Sequence, residues 1–139
     1  MKIHQWRLTF EAFEGQENQL REKGIRIFGP NSTISQDLEP EYITIMPGYK
    51  RAAITLQENN AIAILDIESA QITDLHPLGY VDHSIEQNKM DVSDDDDIIN
   101  ISTWPVKGLR QPDSIDSFVA DNSIFMITAN EGDPRNYDS

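Results

Sequence analysis

The clearest pattern in the chain runs from residue 41 to residue 77, where short apolar runs alternate with polar turns. Tyr42-Ile43-Thr44-Ile45, Ala52-Ala53-Ile54-Thr55-Leu56, Ala61-Ile62-Ala63-Ile64-Leu65 and Ile72-Thr73-Asp74-Leu75 read as four strands. Pro47-Gly48, Glu58-Asn59-Asn60 and Glu68-Ser69 supply the turn chemistry between them, and Pro77 and Gly79 close the group. Strands this short and this tightly joined form an antiparallel meander. A four-stranded meander of about 40 residues is one propeller blade, and a small sandwich or barrel matches the same spacing. Upstream, Trp6, Leu8 and Phe10 alternate with Arg7, Thr9 and Glu11, which predicts a half-buried strand over 6–13. Residues 15–23 are polar helix formers followed by Gly24, which predicts a short helix with a left-handed stop. Ile25-Arg26-Ile27-Phe28 reads as a brief extended piece ended by Gly29-Pro30-Asn31.

An internal repeat favours the propeller. Pro40-Glu41-Tyr42-Ile43 is echoed by Pro112-Asp113-Ser114-Ile115, 72 residues on. Ile54-Thr55-Leu56-Gln57-Glu58-Asn59-Asn60 is echoed by Ile127-Thr128-Ala129-Asn130-Glu131-Gly132-Asp133, 73 residues on. The first two strands of one blade thus recur near the C-terminus, and 113–119 should pair with 123–129 as the next hairpin. The expected fold is all-β, a partial propeller of about two four-stranded antiparallel blades with a short N-terminal helix. Residues 1–38 are expected to end a preceding blade, 39–78 to form one complete blade, 79–110 to be an acidic insertion, and 111–139 to begin the next blade. Two blades cannot close a ring. The chain therefore reads as a piece of a longer protein, with open blade faces that call for missing blades or for self-association.

Charge narrows the partners. The chain of 139 residues carries a formal net charge of −13, which disfavours nucleic acid and anionic membranes and favours cations, basic partners or protein ligands at a surface. With no cysteine, disulfides and thiolate metal sites are ruled out. No apolar run approaches the roughly 20 residues of a membrane helix, so no membrane insertion is expected. The first residues lack the apolar stretch of a signal peptide. Read alone the chain would be cytoplasmic; read as a piece it says nothing about export.

Two acidic sets are candidate cation sites. Asp91, Ser93, Asp95 and Asp97 place oxygen ligands at alternate positions of one loop, as a calcium loop does; calcium accepts six to eight oxygens in flexible geometry. The sixth loop position, where glycine makes the sharp turn, is Asp96, and the twelfth, where a glutamate is wanted, is Ser102. A solvated acidic loop extended by its own repulsion accounts for the same residues. The second set follows from topology. Alternating strand directions put Glu39, Glu41, Glu58, Asp113, Glu131 and Asp133 on one face of a propeller, toward the channel mouth. Clustered carboxylates raise one another's pKa unless a cation intervenes, whereas turn chemistry explains the same residues without one. His4, His76 and His83 show no ligand spacing, and Trp104 is expected to pin the insertion onto the blades. Phosphate loops, nucleophile elbows and zinc-protease helices are absent from the sequence.

Several of these stretches resemble the choice-of-anchor I family. They are Gly24-Ile25-Arg26-Ile27-Phe28-Gly29-Pro30, Asp37-Leu38-Glu39-Pro40-Glu41-Tyr42-Ile43, Thr55-Leu56-Gln57-Glu58-Asn59-Asn60-Ala61, Trp104-Pro105-Val106-Lys107-Gly108, Gln111-Pro112-Asp113 and Thr128-Ala129-Asn130-Glu131-Gly132-Asp133. The resemblance implies a long propeller of YVTN-type repeats, exported and held at the cell surface, periplasmic or extracellular, and often labelled alkaline phosphatase or phytase-like. Two functions follow. One is a noncatalytic binding or scaffold propeller. The other is a calcium-dependent phosphoesterase, in which Lys107, Arg110 and Arg135 are the basic candidates for phosphate.

Overall fold

A computed structural model of the chain describes residue 5 and residues 7–132. Its centre is a four-stranded antiparallel sheet in sequential order: β1 (Ile43–Ile45), β2 (Arg51–Leu56), β3 (Ala61–Asp66) and β4 (Gln71–Pro77). The register between β2 and β3 explains why two such apolar strands pair. Ala52 faces Leu65, Ala53 faces Ile64, Ile54 faces Ala63 and Leu56 faces Ala61, so each alanine stands beside a larger aliphatic. Complementary volumes let neighbouring layers come close on both faces without voids. Arg51 and Asp66 end the pairing as opposite charges.

Both faces of this sheet are covered, which is why β2 and β3 are buried almost throughout. Phe10, Leu20, Ile25, Ile27, Ile34 and Leu38, from the N-terminal segment, pack on Ala52, Ile54 and Leu56 of β2 and on their β3 neighbours. On the other face Met46, Ala53, Ile62 and Ile64 meet Ile115, from the second hairpin described below. Two short helices shape the N-terminal cover, α1 (Glu17–Lys23) and α2 (Ile34–Asp37). Gly24 ends α1 at φ 100°, where a side chain would be strained, and Ile25 N–H donates to Leu20 O at 3.0 Å. A capping box between Thr33 and Gln36 opens α2, a Thr-x-x-Gln signal that the strand and turn pattern passes over.

The strand expected over 6–13 is not formed. Residues 7–10 lie outside any ladder, and Glu11–Phe13 make a single 3₁₀ turn. Ile25 and Ile27 are buried, but their backbone serves the β2–β3 turn: Arg26 N–H donates to Asn59 O at 2.9 Å.

Residues 79–110 form a long arm with paired edges. β5 (Tyr80–Asp82) pairs with β6 (Lys107–Leu109), and further out Met90 bridges Ser102. The Trp104 indole N–H donates to Met90 O at 2.8 Å, so Trp104 ties the two sides of the arm to each other rather than to the sheet.

The second hairpin is β7 (Pro112–Ala120) with β8 (Ser123–Asn130). Its two-residue turn, Asp121-Asn122, has φ 48° and 59°, the type I′ geometry that right-twisted hairpins favour. The repeat holds for the strands but not for their register. Ile43 faces Ile54, whereas Ile115 faces Thr128, one residue past the repeat partner Ile127. A slip of one residue turns side chains to the opposite face. Ile54 lies under the N-terminal cover and is 7 % exposed, whereas β8 is exposed on both faces and Ile127 is 60 % exposed. The architecture is all-β with few helices, that of a partial propeller-like fold.

Candidate functional site

The β2–β3 turn, residues 57–60, is where distant segments converge. Asn59 is fully buried. Its amide donates to Arg26 O at 2.8 Å and to Asp37 O and Oδ2 at 3.1 Å, while its Oδ1 accepts Glu39 N–H at 3.1 Å. Asn60, 1 % exposed and at φ 53°, reaches the other way. It donates to Gly79 O at 2.7 Å and accepts Arg110 N–H at 2.9 Å and Gln111 N–H at 3.1 Å. One asparagine thus holds the N-terminal cover, and its neighbour closes both ends of the 79–110 arm. Gln57 donates to Glu131 O at 3.3 Å, and Thr55 Oγ1 donates to Asp113 O at 2.8 Å. Asp37, buried at the end of α2, accepts Gly29 N–H at 2.8 Å and Phe28 N–H at 3.3 Å. Turn residues are ordinary on a surface. The signal for this latch was the doubling of asparagine between two largely apolar strands, where exposure was the default expectation.

The latch brings the backbones of Glu39, Glu41, Glu58, Asp113 and Glu131 to one end of the sheet. Glu39, Glu41 and Glu131 are exposed, Glu58 and Asp113 half-buried. Among the described residues, no three acidic or histidine side chains form a group that could hold a metal. Glu58 Oε2 is buried with no hydrogen-bond partner among the described residues. Asp133 and Arg135 lie outside the described residues.

The acidic loop lies at the tip of the arm, away from the latch. Asp91 Oδ1 accepts Ser93 N–H at 3.3 Å and Oδ2 accepts Asn100 N–H at 2.8 Å. Ser93 Oγ accepts Asp95 N–H at 3.3 Å, and Asp96 caps Ile98 N–H at 3.1 Å. Asp95 and Asp97 are exposed. The donors at the first and third loop positions are thus engaged in shaping the turn. Asp91, Ser93 and Asp97 line one open depression at the tip.

The basic candidates are also engaged. The Lys107 ammonium stands 3.9 Å over the Tyr80 ring. A hydrogen bond with Tyr80, reinforced by the tyrosine's own charge and that of Asp82, raises its pKa above the ordinary lysine value. Arg110 Nε donates to Leu78 O at 3.1 Å. His83 packs against Gly108, where any Cβ would fall 2.7 Å from Nε2, and its Nδ1 lies 2.6 Å from Asn88 O.

A further concave feature lies between β1 and the β7–β8 hairpin. It is an open groove of about 580 Å³ lined by Tyr42, Ile43, Thr44, Ser114, Asp116 and Thr128 among others. Thr44 Oγ1 donates to Asp116 Oδ1 at 3.2 Å, and Ser117 Oγ to Ile45 O at 3.1 Å, so side chains tie the two sheets across it. β1 leaves Ile43 and Ile45 about half exposed, because only its β2 edge is paired among the described residues. The mixture of an aromatic, several aliphatic and several hydroxyl-bearing or acidic side chains can orient a ligand by hydrogen bonds while burying an apolar part. Sequence reasoning did not identify this groove, since its walls come from segments about 70 residues apart.

The family model described as the choice-of-anchor I domain matches residues 2–139. Neither a curated protein nor a solved structure matches the chain.

Proposed function

The chain belongs to the choice-of-anchor I family, a family of cell-surface or secreted proteins, and on that premise we propose that it serves such a protein as a binding or scaffold unit without catalysis. The observation that carries the reading is the groove between β1 and β7–β8. It is built from backbone-paired strands, bridged by Thr44 and Asp116, and lined by aliphatic, aromatic, hydroxyl and carboxylate groups suited to holding a ligand. Among the described residues no helix is long and apolar enough to cross a membrane, so attachment through helices would come from chain outside these residues.

Two measurements test this. The first is protease shaving of intact cells that make the whole gene product, probed with an antibody to this region. Loss of signal from intact cells is expected, and a product cleaved only after lysis would refute the surface placement. The second is hydrolysis of p-nitrophenyl phosphate by the purified chain with millimolar calcium. No rate above buffer is expected; a rate abolished by Asp113→Asn or Lys107→Ala would establish the phosphoesterase reading instead.

A further inference from the structure

We propose that the groove between β1 and the β7–β8 hairpin holds a small organic cation, an ammonium group on an apolar chain. The inference rests on the reading of this groove as a binding site and names what it takes. The walls are strands paired within the chain, β1 with β2 and β7 with β8. Thr44 Oγ1 and Ser117 Oγ reach across from one sheet to the other.

Charge selects the ligand first. Of the side chains lining the groove one is charged, Asp116, and none is lysine, arginine or histidine. An anion such as a phosphate ester would meet a carboxylate with no counter-charge, in a chain whose net charge is −13. A cation would meet its complement. The Asp116 carboxylate is held in place for it: Oδ1 accepts Thr44 Oγ1–H at 3.2 Å and Ser117 N–H at 2.7 Å, one donor from each sheet. Among the described residues no lysine or arginine forms an ion pair with Asp116.

The rest of the lining asks for an apolar body. Ile43 and Ile127, 52 % and 60 % exposed, give the groove aliphatic walls, and the Tyr42 ring, 56 % exposed, gives it an aromatic one. An aromatic face attracts a cation through its quadrupole. The protein itself shows this pairing on the 79–110 arm. There the Lys107 ammonium stands 3.9 Å over the Tyr80 ring, and the charge of Asp82 favours its protonated form. The groove brings the same two residue types together, a tyrosine and an aspartate, with no lysine of its own. Its volume of about 580 Å³ lies within the roughly 300–1,000 Å³ of small-molecule sites.

The test is amide chemical-shift mapping on the intact chain at about 0.15 M salt, where the diffuse field of the net charge is screened beyond about 8 Å. Hexylammonium, hexanol and hexanoate share one apolar chain and differ in the head group. Hexylammonium should give saturable shifts at residues 42–44, 114–116 and 127–129, hexanol weaker ones and hexanoate none. Asp116→Asn keeps an acceptor for Thr44 and Ser117 and removes the charge. It should weaken hexylammonium about 5-fold, the upper range for an exposed ion pair, and leave hexanol unaffected. Tyr42→Leu should weaken hexylammonium about 3-fold. Asp95→Asn, at the tip of the arm, should leave it unchanged, which separates the groove from general attraction to an acidic protein. Circular dichroism checks that the variants are folded, and the comparison of head groups on the wild type needs no variant. Hexanol or hexanoate binding as tightly as hexylammonium would overturn the cation and leave the groove a binding site. So would hexylammonium binding that Asp116→Asn does not change. Shifts from no probe, or shifts confined to the acidic tip, would overturn the proposal and also remove the groove's support for the binding reading.

Discussion

Asn59→Ala should be among the most damaging single changes in the protein. The asparagine is fully buried and makes four contacts: to the Arg26 carbonyl, to the Asp37 carbonyl and carboxylate, and to the Glu39 amide. A neutral hydrogen bond is worth about 1 kcal/mol net, and one to a charged group about 1.5–3 kcal/mol. Losing three of the first kind and one of the second gives about 4–6 kcal/mol, before any rearrangement reclaims part of it. A domain of this size has about 5–15 kcal/mol of stability, so the variant should be close to unfolding. The assay is urea denaturation followed by circular dichroism, with the midpoint falling sharply and the slope unchanged. Asn59→Asp makes the argument specific. It preserves size and the acceptor but sets a second carboxylate about 3.1 Å from that of Asp37, so it should cost at least as much. A loss below about 1 kcal/mol for alanine, or a tolerated aspartate, would show that the latch is incidental to the fold.

Asn60→Gly keeps the left-handed backbone but removes the side chain that closes the arm; hydrogen exchange should rise at Arg110 and Gln111 while the four-stranded sheet stays protected. Gly24→Ala meets only Pro77 at an ordinary 3.8 Å, so its cost, about 1 kcal/mol by thermal melting, should come from φ alone. Hydrogen bonds from the Ser35 side chain and backbone, with one from Ile34 N–H, hold the Glu14 carboxyl below the usual glutamate range. Its stabilising contribution should therefore be present at neutral pH and disappear as pH falls through the depressed pKa. Wild type and Glu14→Gln should differ in melting temperature at pH 7 and converge in acid; a gap that persists in acid would refute the assignment. Calcium and magnesium should shift the melting temperature equally, by screening the acidic tip. A calcium-specific shift lost in Asp95→Asn, Asp97→Asn would instead reveal a built site.

What was legible in the sequence and what was not divide along a physical line. The strands of the central sheet were legible because each is short, apolar and bounded by residues with turn-specific backbone chemistry. That information is local. The helix at 17–23 was legible for the same reason, from Gly24. The 6–13 strand was misread because alternation says only that every second side chain seeks cover. Phe10 finds that cover on the face of the sheet, so no ladder is needed. The acidic residues are another case. Hydrogen bonds at the turn hold the backbones of Glu39, Glu41, Asp113 and Glu131 beside Glu58, while the side chains of Glu39, Glu41 and Glu131 stay exposed, because a charge is costly to bury. Asparagine carries no charge to desolvate. A buried amide can donate and accept at once, so Asn59 and Asn60 can be buried at this turn. The polar side chains that organise this end of the fold are accordingly Asn59, Asn60 and the one buried carboxylate that Asn59 and two backbone N–H groups satisfy, Asp37, while Glu39, Glu41 and Glu131 stay at its rim, where they set how closely another molecule can approach.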